Sequence, residues 1–208
     1  MNDKKQKIYS TLKPLVLASG SPRRKELLGS VGLEFTVHPS RAEEPKPEQG
    51  ENPGDYALRM ARIKTEDVAG KYPKSVTLGS DTIVVLGSDV MGKPESDADA
   101  LRMLSALSGQ THQVITGCCL AIPGEATPHC FYVSTDVVMR ASSKQELRNY
   151  IATGEPADKA GAYAIQGIGS FMVKGISGSY TNVVGLPLAR VLEVLASLGV
   201  IVPSVDRV

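Results

Sequence analysis

The sequence of 208 residues predicts an α/β fold with a mixed, twisted sheet flanked by helices. An apolar run at residues 15–18 passes through a turn of small residues into an amphipathic run, the order of a buried strand, a turn and a helix. Residues 76–86 are mostly apolar on both faces, as in a central strand. Residues 130–140 instead alternate apolar and polar side chains, which predicts a half-buried antiparallel strand and therefore a mixed sheet.

The composition, with 42% hydrophobic and 22% charged residues, is that of an ordinary soluble globular protein. The formal net charge of +1 gives no argument for bulk binding to nucleic acid or to an anionic membrane. No apolar run approaches the roughly 18 residues of a membrane-spanning helix. Residues 1–13 carry four lysines and no apolar signal region, so they are predicted to form a disordered lead-in to a single domain over residues 14–208. We expect a cytoplasmic protein.

The cysteines and histidines show no metal-site spacing. Cys118 and Cys119 point to opposite faces of a strand and cannot pair with each other, and Cys130 leaves an odd count without a CxxC pair. All three are therefore predicted to be free thiols in a reducing compartment. The three histidines, which are His38, His112 and His129, are predicted to be structural or surface residues.

The first strand-turn-helix unit has the character of an anion site. Ser21 is placed to cap the helix with its hydroxyl, and Pro22 suits the first helical position. Arg23, Arg24 and Lys25 follow, although each positive charge in a first helical turn is unfavourable by about 0.3–1 kcal/mol. A helix N-terminus with forked guanidinium donors suits a polyphosphate. The alternative is a solvated helix start.

A short strand at residues 35–38 and a polar, proline-rich stretch at residues 39–54 come next, and the second of these predicts a mobile excursion. Asn52 and Pro53 then predict the start of a helix. Lys64 falls on the apolar face of that helix, where a lysine either extends to solvent or points into a site.

Asp81 stands in the middle of the apolar strand at residues 76–86. A carboxylate there must be paired, bound to metal or shifted in pKa, because burying it alone costs several kcal/mol. It is either a functional group or a structural aspartate in a bulge beside Gly79. A hairpin follows, and Lys93 on spacing alone is an exposed turn lysine.

The second half of the chain predicts packing elements around one unusual segment. Residues 96–107 form a capped helix, and residues 111–122 and 130–140 form strands. Ser142 and Gln145 fit a capping box for the next helix, and Pro187 can start the last one. Between those helices, residues 158–167 combine small residues with Tyr163 and Gln166, which predicts a close-packed turn that shapes a pocket wall.

Five stretches in the same order resemble the Maf family across roughly residues 14–199. They are LASGSPRRKELL at residues 17–28, RAEE at 41–44, GSDT at 79–82 with GKP at 92–94, DKAGAYAIQG at 158–167, and SYTNVVGLPL at 179–188. The resemblance implies a nucleoside triphosphate pyrophosphatase, in which water attacks the α-phosphate. It also implies a fold similar to that of inosine triphosphate pyrophosphatases.

The resemblance assigns roles to residues of this chain. Asp81 would be catalytic, and Glu44 and Asp81 would hold a divalent metal cation, Mg²⁺ or Mn²⁺. It leaves open whether Asp81 acts as general base or only as a metal ligand. The predicted substrate-binding residues are Ser19, Ser21, Arg23, Arg24, Lys64, Thr82, Lys93 and Gln166. Arg23, Thr82 and Gln166 at their positions resemble the branch of the family that acts on dTTP and UTP.

A non-catalytic regulator of cell division that senses a nucleotide or binds a nucleic-acid end is the alternative. The near-neutral charge and the 5% aromatic content disfavour a nucleic-acid surface. The resemblance favours a small nucleoside triphosphate as partner, with no membrane. The sequence leaves open whether the chain forms a homodimer.

Overall fold

The computed structural model describes residues 7–204. Its strands are β1 (Tyr9–Thr11), β2 (Leu15–Leu17), β3 (Thr36–Val37), β4 (Val76–Leu86), β5 (Asp89–Met91), β6 (Thr111–Ala121), β7 (His129–Met139), β8 (Val173–Ser177) and β9 (Ile201–Pro203). Its α-helices are α1 (Pro22–Ser30), α2 (Pro53–Ala69), α3 (Asp97–Leu107), α4 (Lys144–Ile151), α5 (Tyr180–Val184) and α6 (Leu188–Ser197). Short 3₁₀ turns cover Glu155–Asp158, Ala160–Ala162 and Ile168–Met172.

Seven strands form one mixed sheet in the order β3-β2-β4-β6-β7-β8, with β5 also paired to β4. Strand β2 runs parallel to β3 and β4, whereas the pairs β4–β6, β6–β7 and β7–β8 are antiparallel. The predicted mixed α/β fold is confirmed. Strands β1 and β9 form a separate antiparallel pair.

Helix α2 lies against one face of the sheet, at a distance that two glycines set. A Cβ on Gly79 would lie 2.8 Å from the Ala61 carbonyl oxygen, and one on Gly117 would lie 2.3 Å from that of Ala57. Pairing between β4 and β6 continues without a register shift through Gly79, so the alternative of a bulge there is wrong. The glycine instead admits the helix, which brings Lys64 over the middle of β4.

The opposite face of the sheet carries two apolar clusters. One packs α1 and α6 against β2 and β4 through residues such as Leu28, Leu78 and Leu195. The other packs α3 and α4 against β4, β6 and β7 through Leu104, Leu147 and others. These clusters hold the elements that surround the open edge of β4.

The edge of β4 that faces β2 has a gap in its pairing. Strand β2 pairs with β4 up to Leu78, and β5 pairs with it from Val84 onward. Residues 79–83 pair with β6 on their other side only. The loop after β2 and the start of α1 lie at this gap, which is where the functional residues meet.

Several local predictions are wrong. Ser21 occupies the N-cap position of α1, but its side chain makes no capping hydrogen bond. Helix α4 is capped by Ser143 with Glu146 rather than by Ser142 with Gln145. The disordered lead-in predicted over residues 1–13 contains strand β1, which pairs with β9; residues 1–6 lie outside the described part. The extent of the domain over residues 14–208 stays a prediction.

The cysteine prediction holds for one residue only. The register of β6 and β7 places Cys119 directly opposite Cys130, with Cα atoms 4.1 Å apart, and the two form a disulfide. Cys118 is a free thiol whose pKa burial raises to about 12. Over residues 7–204, no helix combines the length and apolar character needed to cross a membrane.

Candidate active site

A cleft of about 870 Å³ opens at the gap beside β4, between the loop after β2, helix α2 and the segment after α4. Every residue that the sequence predicted for the site lines it: Ser19, Ser21, Arg23, Arg24, Glu44, Lys64, Asp81, Thr82, Lys93 and Gln166. The structure therefore brings all of these residues together. Their contacts with substrate or metal stay predictions.

Asp81 and Lys64 form the floor of the cleft on the α2 side. The Nζ atom of Lys64 donates to Oδ1 of Asp81 at 2.6 Å and lies 3.0 Å from Oε1 of Glu44. The side chains of Lys64 and Asp81 are 13% and 12% exposed, so this pair is largely shielded from water, whereas Glu44 is 56% exposed. Lys64 thus points into the site, and one ammonium group holds both predicted metal ligands.

Thr82 reaches the same cleft from the opposite face of the sheet, because adjacent strand residues point to opposite sides. Its Oγ1 lies 3.0 Å from Oγ1 of Thr116 and accepts a 3.0 Å hydrogen bond from Nη2 of Arg24. The pairing gap in β4 allows the cleft to contact both faces. The neighbouring residues Asp81 and Thr82 can therefore contact the same ligand.

Most N–H groups of Arg24 donate hydrogen bonds to other residues of the protein. Its Nε donates to the Gly185 carbonyl at 2.8 Å, and Nη1 donates to the Ser80 carbonyl at 2.8 Å and to Ser19 Oγ at 3.1 Å. With the bond to Thr82, four of its five N–H groups are used. Burial lowers the pKa of Arg24, and the nearby Asp81 opposes that shift. Arg24 therefore joins α1, β4 and α5, and offers a ligand its charge and one free N–H.

Arg23 and Lys159 share the carboxylate of Asp158 on the far side of the cleft. Nη1 of Arg23 lies 3.3 Å from Oδ2 of Asp158, and Lys159 pairs with Oδ1. The side chain of Lys159 is only 14% exposed, and its Nζ also donates to the Glu155 carbonyl at 3.3 Å. Burial raises the pKa of Asp158, but the two cations outweigh this effect and lower it overall.

Lys93 and Gln166 lie at the rim of the cleft and are exposed. Neither makes a side-chain hydrogen bond or ion pair with another residue of the described range 7–204. Ser21 is half-buried and donates its backbone N–H to Ser19 Oγ at 3.3 Å. These groups have free hydrogen-bonding capacity that faces the cleft.

Lys159 and Tyr56 are two of the residues that line the site without having been predicted there. Lys159 stands beside Asp158 in the segment predicted to form a pocket wall, and that charged pair was the available signal. Tyr56 lies on α2 and donates to the Pro45 carbonyl at 3.2 Å, which ties the segment that carries Glu44 to the helix. Burial, together with the charges of Asp81 and Glu44, raises the pKa of Tyr56.

The cleft carries a modest positive charge. Seven basic and five acidic residues line it, a formal excess of two positive charges. Three or more histidine, cysteine or acidic side chains do not cluster as a potential metal site anywhere in the described range. The carboxylates of Glu44 and Asp81 lie among basic side chains, an arrangement that suits an anionic ligand bound together with a cation.

Comparisons with known proteins identify a family and several relatives that this chain resembles. A family described as Maf-like protein matches residues 14–198. A protein named dTTP/UTP pyrophosphatase from Oleidesulfovibrio alaskensis is 50% identical over 192 residues, which cover 92% of this chain and 88% of the relative. Relatives with the same name from Geobacter sulfurreducens and Nitratidesulfovibrio vulgaris are 50% and 44% identical, and cover 89% and 93% of this chain and 96% and 91% of their own lengths.

Proposed function

The chain belongs to the Maf family, and we propose that it is a pyrophosphatase that hydrolyses dTTP and UTP to the monophosphate and pyrophosphate. The observation that carries this proposal is the shielded Lys64–Asp81 pair at the floor of a cleft whose walls carry basic side chains. A triphosphate needs such positive charge, and hydrolysis needs a carboxylate that can take a proton. Relatives that cover nine-tenths of this chain carry the name dTTP/UTP pyrophosphatase.

We propose that the phosphates lie among Arg23, Lys64, Lys93 and the turn that carries Ser19 and Ser21. Lys93 and Ser21 have free donors at the rim, and Arg23 has a weak, partly exposed partner in Asp158. Arg24 adds charge from behind this turn while it holds the turn against β4 and α5. Lys159 is a further cation on the same wall.

The carboxylates of Glu44 and Asp81 fit a divalent metal cation. Both lie within 3.0 Å of a single Lys64 ammonium, so one cation contacts both at once in this structure. Mg²⁺ prefers one or two carboxylates completed by waters and substrate phosphates to an all-protein cage. Mg²⁺ or Mn²⁺ bound there would neutralise charge on the phosphates.

Asp81 is the proposed general base. Its Oδ1 faces Lys64, whereas Oδ2 accepts no hydrogen bond from residues 7–204. Water attacks the α-phosphorus, Oδ2 takes one of its protons, and the bond between the α-phosphorus and the bridging oxygen breaks. Pyrophosphate leaves with the electron pair of that bond, and the water oxygen stays in the monophosphate.

Gln166 is the proposed contact for the nucleobase. Its free amide can accept from N3–H of uracil or thymine and donate to a ring carbonyl. Cytosine has an acceptor at N3 and an amino group at C4, so it would leave polar groups unpaired at about 1–3 kcal/mol each. We therefore expect kcat/KM for dTTP and UTP to exceed that for CTP by at least roughly tenfold.

The test is turnover of a nucleoside triphosphate panel with Mg²⁺, for the unaltered protein and for Asp81→Asn. The substitution keeps the shape of Asp81 and removes the proton acceptor, so kcat should fall by about 10²-fold or more. Glu193→Gln, an exposed acidic residue on α6, is the matched control and should keep full activity. Nucleotide binding without any product from the unaltered protein would contradict the proposal and favour a non-catalytic regulator.

A further inference from the structure

A short segment of six residues, residues 164–169, carries Gln166 along the rim of the cleft. Residues 166–168 are exposed, whereas Ala164 and Gly169 at its ends are buried. Nothing in the side chain of Gln166 fixes its position, because it has no hydrogen-bond partner among residues 7–204. The contacts that place Gln166 are therefore those that hold the backbone of its segment at the two ends.

Glu155 holds the end of the segment that follows Gln166. Its Oε2 accepts the backbone N–H of Ile168 at 2.9 Å, and its Oε1 accepts that of Gly169 at 2.9 Å. Gly167 lies between with φ of +71°, and a Cβ there would lie 2.6 Å from Oε2 of Glu155. The Glu155 carboxylate therefore occupies the space that a side chain at position 167 would need. The turn with this positive φ requires glycine there.

Tyr150 holds the other end and joins the two. Its hydroxyl accepts the backbone N–H of Ala164 at 3.2 Å and donates to Oε1 of Glu155 at 2.9 Å. Tyr150 is 2% exposed, on helix α4 and within an apolar cluster, so its ring is fixed by packing. The segment that carries Gln166 is thus hydrogen-bonded to Tyr150 at its first residue and to Glu155 at its last two.

The charge of Glu155 agrees with this arrangement. Burial raises the pKa of Glu155, but the hydrogen bonds from Gly169, Ile168 and Tyr150 outweigh it and lower the pKa overall. The carboxylate is therefore ionised and accepts all three donors. Neither Glu155 nor Tyr150 lines the cleft, and their side chains reach it through the hydrogen bonds that they make to the backbone of the rim segment.

We infer that Glu155 and Tyr150 are positioning residues for nucleobase selection, and that they fix the rim segment so that the Gln166 amide meets uracil or thymine in one orientation. This inference rests on the proposed function, because it takes Gln166 as the base contact. A fixed segment sets where the Gln166 backbone lies and so limits the positions that its amide can reach at the base, whereas a segment released at either end lets the amide move to meet cytosine.

Two variants test the inference, Glu155→Gln and Tyr150→Phe. In Glu155→Gln, one carboxylate oxygen is replaced by an NH₂ group, which cannot accept a hydrogen bond. In one orientation this group faces the N–H of Ile168, and in the other it faces the N–H of Gly169 and the Tyr150 hydroxyl, so at least one hydrogen bond is lost. Tyr150→Phe keeps the packed ring and removes only the hydroxyl. Glu193→Gln on the surface of α6 and Ile151→Val in the same apolar cluster as Tyr150 are the controls.

The readout is the ratio of kcat/KM for UTP to that for CTP, which does not depend on how much of the protein is folded. Both variants should bring this ratio from at least roughly tenfold to within about twofold of unity, mainly through KM for UTP. Hydrogen exchange of the amides in residues 164–169 should become faster in the variants. Both controls should keep the ratio of the unaltered protein.

A ratio that is unchanged in both variants, whatever the amide exchange shows, would overturn the inference. A loss of activity that is equal for UTP and CTP would do the same, because a merely structural role lowers both rates together. The failure of the proposed function looks different, since the unaltered protein would itself then show no preference for UTP. That result would contradict both the proposed preference for dTTP and UTP and the inference that rests on it.

Discussion

Lys64 on helix α2 and Asp81 on strand β4 form an ion pair, with Nζ 2.6 Å from Oδ1, and the same ammonium lies 3.0 Å from the Glu44 carboxylate. The lysine thus occupies a point that both proposed metal ligands reach. A divalent cation that arrives alone must compete with this ammonium. A cation that arrives on a triphosphate comes with negative charge that Lys64 can bind instead.

Lys64→Met should therefore strengthen binding of Mn²⁺ in the absence of nucleotide while it lowers turnover of dTTP. Like charges about 4 Å apart repel by several kcal/mol at the effective dielectric of such a site, so a gain in Mn²⁺ affinity of about tenfold or more is expected. Paramagnetic resonance of free Mn²⁺ measures the affinity. Lys74→Met, at an exposed lysine outside the cleft, is the control. Weaker Mn²⁺ binding in Lys64→Met would place the metal elsewhere.

Arg24 and Arg23 are adjacent, but their substitution by lysine should have different effects on stability. Arg24→Lys leaves carbonyl and hydroxyl oxygens of Ser80, Gly185 and Thr82 without their fork of donors, so the free energy of unfolding should fall by about 2–4 kcal/mol. Arg23→Lys changes only a partly exposed ion pair, which is worth about 0–1 kcal/mol. Urea unfolding measures both, and equal losses would show that Arg24 does not join the elements around the cleft.

His112 should make the protein sensitive to acid. Burial lowers its pKa from 6.5 to about 4, and its Nε2 lies 2.8 Å from the Tyr163 hydroxyl. Below pH 6.5 the unfolded chain takes up a proton that the native His112 does not, so stability falls as pH drops toward 4. The loss between about pH 7 and about pH 4.5 should be roughly 2–3 kcal/mol from this residue.

Thermal or urea unfolding at both pH values, for the unaltered protein and for His112→Gln, measures this contribution. The glutamine can still hydrogen-bond to Tyr163 but has no titrating group, so its variant should lose less stability in acid. An equal loss in both proteins would show that His112 accepts its proton in the native state.

Gln166→Glu should shift base preference toward cytosine. A carboxylate can still accept from N3–H of uracil, but it cannot donate to the ring carbonyl and repels it, whereas it can accept from the amino group of cytosine. The ratio of kcat/KM for UTP to that for CTP should fall by about tenfold or more. Gln145→Glu, on the exposed surface of α4, should leave the ratio unchanged. An unchanged ratio in Gln166→Glu would remove that residue from the base site.

Local sequence patterns predicted elements well where an apolar run or a helix cap decides the structure. Strand β4 and the start of α2 at Pro53 match the structure because apolar runs and caps are local signals. The capping box shifted by one residue because Ser142–Gln145 and Ser143–Glu146 fit the same pattern. Tertiary contacts decided between them: the Ser142 hydroxyl is buried, and Glu146 pairs with Arg140.

Long-range relations lay outside what sequence patterns show. The Cys119–Cys130 disulfide depends on the register of two strands, which spacing alone does not give. The motif containing Arg24 indicated a phosphate ligand, but the three hydrogen bonds from Arg24 to the distant residues Ser80, Thr82 and Gly185 appear only in the folded chain. The hydrogen bonds from the segment that carries Gln166 to Glu155 likewise appear only in the folded chain.

The measurement that tests the central claim most directly is product analysis of UTP hydrolysis in water enriched in the heavy isotope of oxygen. Attack on the α-phosphorus predicts UMP and pyrophosphate in equal amounts, with the heavy oxygen in UMP alone. Mass spectrometry of the separated products reads both results at once. Formation of UDP and orthophosphate, or heavy oxygen in pyrophosphate, would contradict the mechanism built on Asp81.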